Sequence, residues 1–277
     1  MSKAGKRERQ KENRERAREE RERLMKRDRR MKTMRSLLFV LVPIMVILVI
    51  ISVTSSSNDS SSSTKTADNP LCKNPVKNPT RTYAAPPPTV IDPTLTYTAT
   101  VCTSQGVITM SLDTKNAPVA ANNFVFLAGN GFYDGLTFHR ASKDFVIQGG
   151  DPKGDGSGGP GYTVKGEVPT DHYPIGALAA AKTGAEPAGT MGSQFFIVTG
   201  SQGQTLPNDY ARFGKVTSGQ KVADTIESFA PSSGDGAPTK KVTIDKITIK
   251  AGNKVLTPTT TLAATTTTTK AATSSTT

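Results

Sequence analysis

The 277-residue sequence contains no tryptophan, only two histidines and only two cysteines. These counts exclude, or nearly exclude, a metal site built from several histidines, a zinc ribbon and a scaffold held by many disulfides. The glycine-rich stretch 154–161 is not followed by the Lys-Ser/Thr pair of a phosphate-binding loop. The sequence also has no His-Glu-x-x-His signature and no nucleophile elbow, which disfavours metalloproteases and serine hydrolases.

Positive charge is concentrated at one end of the chain. The formal net charge is +12, and residues 1–35 alone hold 16 basic and 7 acidic side chains, which leaves +3 for all the others. So small an excess gives no compositional argument for nucleic-acid binding by a globular domain. We therefore expect a basic tail at 1–35 and no nucleic-acid partner.

An apolar run from Leu37 to Val53, interrupted at only two positions, follows the basic segment. As a helix it would be about 25 Å long, near the lower limit for crossing a bilayer. We predict a transmembrane helix at 36–54. Because the basic residues precede it, the positive-inside rule puts the N-terminus in the cytoplasm and the rest of this single-pass cell-membrane protein outside. A cleaved secretory signal is the alternative, although the basic region is longer than in a usual signal.

Low-complexity segments flank a patterned region. Residues 55–95 are rich in Ser, Thr and Pro, a composition that predicts a flexible linker. Residues 253–277 are rich in Thr and predict a disordered tail. Between these segments, residues 96–252 have the pattern of one compact domain.

Alternating apolar and polar residues predict strands within that domain. Segments 98–103 and 107–112 flank a short turn, as in a β-hairpin, and six further apolar runs bring the count to seven or eight strands. Two helices are also expected, one beginning at Pro118 and one capped by Ser218. Two helices are too few to alternate with the strands, which indicates a mainly β fold, an antiparallel barrel with helices on its ends.

Two sequence blocks carry the most specific signal. The first is Phe138-His139-Arg140 with the following Phe-Val-Ile-Gln-Gly-Gly-Asp at 145–151, and the second is Gly-Ser-Gln-Phe-Phe-Ile at 192–197. In order and spacing they resemble the signature blocks of the cyclophilins, and 156–162 resembles bacterial members. The resemblance implies a closed eight-stranded antiparallel barrel capped by two helices. It also implies peptidyl-prolyl cis-trans isomerase activity with no cofactor and no metal.

The same resemblance indicates the catalytic residues. Rotation about a peptide bond is opposed by about 18 to 20 kcal/mol, and X-Pro bonds populate both isomers but exchange slowly. A positioned donor that stabilises the twisted transition state lowers this barrier without a covalent step. Arg140 matches the family's catalytic arginine, and Gln148 matches the residue that helps to hold it.

The substrate site is likewise implied by the resemblance. The residues that would line the proline pocket are Phe145, Val146, Phe196, Leu206 and Tyr210. Gln194 and Ala181 match positions that bind the extended peptide on the adjoining face, and Lys182 stands where many members have asparagine. The partners implied are proline-containing polypeptides outside the cytoplasm, whose folding the enzyme would assist.

The sequence departs from many cyclophilins at the rim of this pocket. Thr205 precedes Leu206 where many members have tryptophan, and Tyr210 replaces a histidine. Cyclosporin depends on that tryptophan in the family, so weak or no cyclosporin binding is expected. The altered rim leaves a second function open, a proline-peptide-binding scaffold or chaperone module with little turnover.

The two cysteines, Cys72 and Cys102, leave two states open. An extracytoplasmic location would permit a disulfide between them. Closing a loop of about 30 residues would stabilise the fold by about 3 to 4 kcal/mol on the chain-entropy model. Two separate thiols are the alternative.

Overall fold

The computed structural model describes residues 69–257. Within this range no helix combines the length and the apolar character needed to cross a membrane. The basic tail 1–35 and the membrane helix predicted at 36–54 lie outside the described residues, as do the first part of the linker and most of the Thr-rich tail.

The described chain is mainly β with two α-helices, which confirms the predicted class. The helices are α1 (Pro118–Gly129) and α2 (Gln220–Glu227), and short 3-10 helices occupy Pro70–Cys72 and Ser201–Thr205. The strands are β1 (Tyr97–Thr103), β2 (Gly106–Leu112), β3 (Phe138–Ser142), β4 (Val146–Gly149), β5 (Val164–Lys165), β6 (Ala177–Ala180), β7 (Thr190–Met191), β8 (Phe195–Val198), β9 (Arg212–Ser218), β10 (Asp235–Gly236), β11 (Ile244–Ala251) and β12 (Lys254–Val255).

The hairpin of β1 and β2 forms where the alternation predicted it. Ile108, Met110 and Leu112 of β2 are each at most 7% exposed, whereas Thr109 and Ser111 between them are partly exposed. Successive side chains of a strand point to opposite faces, so this pattern buries one face of the hairpin.

Helix α1 begins at Pro118, as predicted. The carboxylate of Glu167, distant in sequence, accepts hydrogen bonds from the backbone N–H groups of Val119 (2.9 Å) and Ala120 (3.2 Å). These N–H groups have no partner within the helix, so a remote carboxylate replaces the usual local cap.

Helix α2 begins differently from the prediction. The residue before it is Gly219, in the left-handed region with φ of 85°, and no side chain caps the helix. A Cβ at Gly219 would lie 2.2 Å from the carbonyl oxygen of Val107, so the chain needs glycine here. The predicted cap at Ser218 is therefore wrong.

Ten of the strands form one sheet in the order β10-β3-β4-β8-β6-β9-β2-β1-β11-β12, and all pairs are antiparallel. The expectation of a closed eight-stranded barrel is wrong in both respects, because the ladders contain ten strands and leave two edges. Strand β3 begins at Phe138 and β11 at Ile244, and the two segments meet only over the short stretches 135–138 and 242–244. A single bridge pairs Thr137 with Thr243 there, and the N–H of Ile244 donates to the carbonyl of Leu136 at 2.7 Å.

Aromatic side chains form the centre of the core. Phe124 of α1 packs against Tyr133, Phe195 and Phe213 with ring centroids 5.2 to 5.6 Å apart, and all four are fully buried. Because Phe195 belongs to β8 and Phe213 to β9, these contacts attach α1 to the sheet. The neighbouring residue of β8, Phe196, faces the opposite way, toward the cleft described below.

Residues 69–95 pack along this domain, and we call them the strap. A disulfide joins Cys72 to Cys102 in β1, which decides between the two cysteine states left open. Beside it, the hydroxyl of Thr248 in β11 donates to the carbonyl of Leu71 at 2.6 Å. The start of the strap is therefore fixed to two neighbouring strands.

The middle of the strap is held by Asp134, which is 4% exposed. Its carboxylate accepts from the N–H of Val76 (2.8 Å) and from that of Ile247 in β11 (3.1 Å), while its carbonyl accepts from Arg81 (2.6 Å). Burial raises the pKa of Asp134, and the two N–H donors oppose this effect. One buried side chain thus links the strap to the sheet.

Tyr83 connects the strap to the glycine-rich loop, residues 154–161. Its ring packs edge-on to Phe126 with centroids 5.2 Å apart, and its N–H donates to the carbonyl of Pro160 at 2.8 Å. A Cβ on Gly161 would lie 2.8 Å from the carbonyl oxygen of Tyr83. The flexible linker expected at 55–95 is therefore wrong for 69–95, which is ordered by these contacts.

Candidate active site

Strands β3 and β4 bring Arg140 and Gln148 together. The two residues are directly paired in the antiparallel ladder. Nη1 of Arg140 donates to Oε1 of Gln148 at 3.2 Å, and the Arg140 side chain is 33% exposed. The predicted catalytic pair is thus adjacent, with the guanidinium at the surface of a cleft.

A chain of amide groups continues from this pair. Nε2 of Gln148 donates to Oε1 of Gln194 at 2.9 Å, and Nε2 of Gln194 donates to the carbonyls of Gly156 and Gly158, each at 2.9 Å. Gln194 precedes β8, which pairs with β4. The network therefore extends from the guanidinium to the glycine-rich loop.

Asp235 is a second partner of Arg140 that the sequence reasoning missed. Its carboxylate accepts from Nε and from Nη2 of Arg140, both at 2.7 Å. Hydrogen bonding by the guanidinium holds the pKa of Asp235 below its usual value. The only sequence signal was Gly234-Asp235-Gly236, which predicts a turn and no chemistry.

The predicted pocket residues meet in a second apolar cluster, separate from the main core. Val146 and Phe196 are among its buried members, and Phe145, Leu206 and Tyr210 pack against it, as does Ala181 from the predicted peptide-binding face. Val146 and Phe196 are at most 4% exposed and form its base, whereas Phe145, Leu206 and Tyr210 are half-buried at its border. The rings of Phe196 and Tyr210 meet edge-on, with centroids 5.5 Å apart.

Arg140 lies at the border of this cluster. Its guanidinium carbon is 5.7 Å from the centroid of the Phe145 ring. A cation over an aromatic face is held in place by the ring quadrupole. The arrangement therefore sets a fixed donor beside an apolar surface.

Lys182 fixes the opposite border. Its side chain is only 2% exposed, and Nζ is 2.6 Å from a carboxylate oxygen of Asp209. Nζ also donates to the carbonyl of Glu186 at 3.0 Å and lies 5.2 Å from the centroid of the Tyr210 ring. One buried ammonium thus ties the loop after β6 to the segment that carries Tyr210.

An open cavity of about 780 Å³ adjoins the apolar cluster. Its walls include Gln148, Gln194 and Ala181, together with most of the glycine-rich loop. The N–H of Ala181 is already used, because it donates to the carbonyl of Gln194 at 2.9 Å. The two residues predicted to bind extended peptide therefore share one wall of this cavity.

His139, next to Arg140 on β3, is partly buried. Burial lowers its pKa, and the carboxylate of Asp151 partly offsets this effect. The imidazole is therefore neutral at neutral pH and adds no charge beside the guanidinium.

Several known proteins resemble this chain in sequence and in fold. The family model described as cyclophilin type peptidyl-prolyl cis-trans isomerase/CLD matches residues 98–249. A solved cyclophilin-type isomerase from Cryptosporidium parvum superposes with a TM-score of 0.51 at 31% identity, covering 57% of this chain and 99% of that one. The same protein was also solved in the presence of the dipeptide Ala-Pro.

Bacterial relatives agree with that match. Probable peptidyl-prolyl cis-trans isomerase B of Mycobacterium leprae is 37% identical over 171 residues, which are 55% of this chain and 56% of the relative. The isomerase of Helicobacter pylori strain J99 is 43% identical over 48% of this chain and 88% of its own length. Isomerase B of Bacillus subtilis is 48% identical over 44% of this chain and 83% of its own length. From the family match over residues 98–249 and these relatives, we conclude that the chain belongs to the cyclophilin-type peptidyl-prolyl cis-trans isomerase family.

Proposed function

We propose that this chain accelerates cis-trans isomerisation of X-Pro bonds in polypeptides, with Arg140 as the catalytic donor. The observation that carries the proposal is the position of the Arg140 guanidinium, fixed by hydrogen bonds at the border of an apolar cluster. The cluster would accept the proline ring, and the guanidinium would face the bond that precedes it.

The chemistry needs no covalent intermediate. Twisting the X-Pro bond breaks the amide resonance, so the prolyl nitrogen regains a lone pair and the carbonyl oxygen loses charge delocalisation. A permanently charged donor that meets the twisted geometry better than either planar isomer lowers the barrier. Gln148 would hold the guanidinium, and the apolar walls would exclude water that weakens the donor.

Two regions would bind different parts of the substrate, one the proline ring and the other the peptide that precedes it. Phe145 and Leu206 would hold the proline ring over the buried base formed by Val146 and Phe196, with Tyr210 closing one side. The extended peptide before the proline would lie along Gln194 and Ala181, in the cavity beside the glycine-rich loop. Weak or no cyclosporin binding stays a prediction, because the exposed Thr205 stands where many members have the tryptophan on which cyclosporin depends.

The test is isomerisation of an X-Pro peptide by the full chain in detergent, followed by exchange spectroscopy. We expect the natural chain to accelerate exchange and Arg140→Ala to lose activity by about 100-fold or more, because the electrostatic donor is removed. The matched control is Arg212→Ala, which removes another strand arginine paired with an aspartate at 2.7 Å. Saturable peptide binding without accelerated exchange would instead support the scaffold function.

We also propose that the domain works outside the cytoplasm, assists the folding of clients there, and is anchored by residues 36–54 behind the basic tail 1–35. The disulfide between Cys72 and Cys102 supports this location, since such bonds persist in oxidising compartments. The apolar run and the preceding positive charge support the anchor and its orientation. Relatives from three bacteria support a bacterial type of cyclophilin.

A further inference from the structure

Asp235 is presented to Arg140 by a short, tightly held turn. Strand β10 pairs Asp235 with Ser142 of β3, and the N–H of Lys143 donates to the carbonyl of Gly234 at 2.8 Å. Gly234 and Gly236 on either side have φ of 88° and 141°, a backbone that favours glycine at both positions. The carboxylate therefore reaches the guanidinium from a backbone position that is itself fixed to β3.

The hydrogen bonds of Arg140 use only some of the N–H donors of its guanidinium. A guanidinium has five N–H donors, and Asp235 accepts from two of them, on Nε and Nη2. Gln148 accepts from a third, on Nη1. Within the described residues 69–257, these bonds leave two donors for other groups, one on each terminal nitrogen.

We propose that Asp235 is a positioning residue for the isomerase reaction, which fixes the plane of the Arg140 guanidinium so that its two remaining donors meet the twisting bond. This inference rests on the proposed function. Bidentate pairs between arginine and a carboxylate are strong and geometrically specific. A long arginine side chain that is already ordered loses little entropy when the transition state forms.

Two other roles for Asp235 make different predictions. A surface ion pair that serves only the fold would change stability and leave turnover of the folded enzyme alone. A carboxylate that competes with substrate for the guanidinium would weaken substrate binding, so its removal would lower KM. A positioning residue changes kcat with little change in KM, because the donor matters most in the transition state.

The experiment measures kcat, KM and thermal unfolding of the full chain with substitutions at Asp235. For Asp235→Ala we expect kcat to fall on the order of ten-fold with KM changed by less than about two-fold. Asp235→Glu keeps a carboxylate and should restore part of the loss. The matched control is Asp171→Ala, which removes the exposed partner of Arg212 and should leave kcat unchanged.

A second pair of variants tests whether Asp235 acts through Arg140. In an Arg140→Ala background, Asp235→Ala should have no further effect on the residual rate. An unchanged kcat in the active, folded Asp235→Ala variant would overturn the inference, and so would a further loss in the Arg140→Ala background. An inactive natural chain would overturn the proposed function and this inference with it, whereas an active natural chain and an equally active variant would overturn the inference alone.

Discussion

Arg140 is held on three sides by groups of different chemistry. A carboxylate binds one edge of the guanidinium, a side-chain amide accepts from Nη1, and an aromatic ring lies 5.7 Å from its centre. A lysine offers a point charge without a planar fork and could not make the bidentate contact. The geometry at this residue therefore requires arginine itself, beyond the need for a positive charge.

His139 makes stability depend on pH. Its pKa is lowered in the folded chain by burial, whereas the unfolded chain has the usual value of 6.5. Below that pH the unfolded state binds more protons at this site, so stability is complete above about 6.5 and falls as the pH drops toward the folded pKa. Arg140 adds to the shift, and the carboxylates of Asp151 and Asp155 oppose it.

We therefore expect the urea midpoint of the natural chain, followed by circular dichroism, to fall between pH 7.5 and pH 5. His139→Asn should show a smaller decrease over the same range, because the titrating group is gone. His172→Asn serves as the control, since His172 is exposed. Parallel curves for the natural chain and the His139→Asn variant would contradict the assignment to this histidine.

At the residue scale the sequence named residues that the structure brings together, and their roles stay predictions. Arg140, Gln148 and Gln194 form one hydrogen-bonded chain, and the predicted pocket residues lie in one cluster. Asp235 could not be predicted, because it is 95 residues from Arg140 along the sequence and lies in a turn. The burial of Lys182 was equally hidden, since lysine is usually exposed and Asp209 that neutralises it lies in another segment.

At the scale of elements, periodicity predicted the long strands and missed the short ones. The hairpin predicted at 98–103 and 107–112 forms at Tyr97–Thr103 and Gly106–Leu112. Strands β10 and β12 have two residues each, too few for any alternation to register. The sheet's edges therefore depend on tertiary contacts that no local pattern contains.

The strap could not be predicted from composition either. It is rich in Pro, Thr and Asn, residues that can bury little apolar area, and this composition predicts a flexible linker. Its order comes from backbone hydrogen bonds to side chains of the domain, such as those from Val90 and Ile91 to Asn122 (2.7 and 3.2 Å), and from a covalent bond. Such contacts depend on partners elsewhere in the fold.

Reduction of the Cys72–Cys102 disulfide should destabilise the domain. The bond closes a separation of 30 residues, and the chain-entropy model gives about 3 to 4 kcal/mol for such a loop. We expect the free energy of unfolding in urea to fall by that amount when reductant is added. A Cys72→Ala/Cys102→Ala variant should already be at the lower value and should not respond to reductant. A natural chain with equal stability in both conditions would contradict this prediction.

At the scale of the whole molecule, the family resemblance predicted the class correctly and the closure incorrectly. A mainly β fold with two helices follows from signature blocks spread over the domain, and the family model covers 98–249. Closure depends on whether β3 and β11 overlap along their length, and the described chain joins these two segments only over residues 135–138 and 242–244. Overlap of two strand ends is a matter of register, which a resemblance in sequence does not specify.

The proposed membrane anchor is tested on the whole chain. If residues 36–54 are retained, the protein should stay in the membrane pellet after alkaline carbonate extraction and leave it only with detergent, because the apolar segment spans the bilayer. A variant that starts at residue 55 should appear in the supernatant. A natural protein that is released by carbonate, with a new N-terminus near residue 54, would instead establish a cleaved signal.

The disulfide also determines where mechanical force enters the domain. A pull on the chain before Cys72 passes through the bond to Cys102, in a strand with hydrogen-bonded neighbours on both sides. Residues 73–101 lie outside this covalent path, including Tyr83 and its contact with Pro160. Tension applied from the N-terminal side therefore enters the domain at Cys102, where β1 is paired with β2 and β11, and the part of the strap after Cys72 is shielded from it.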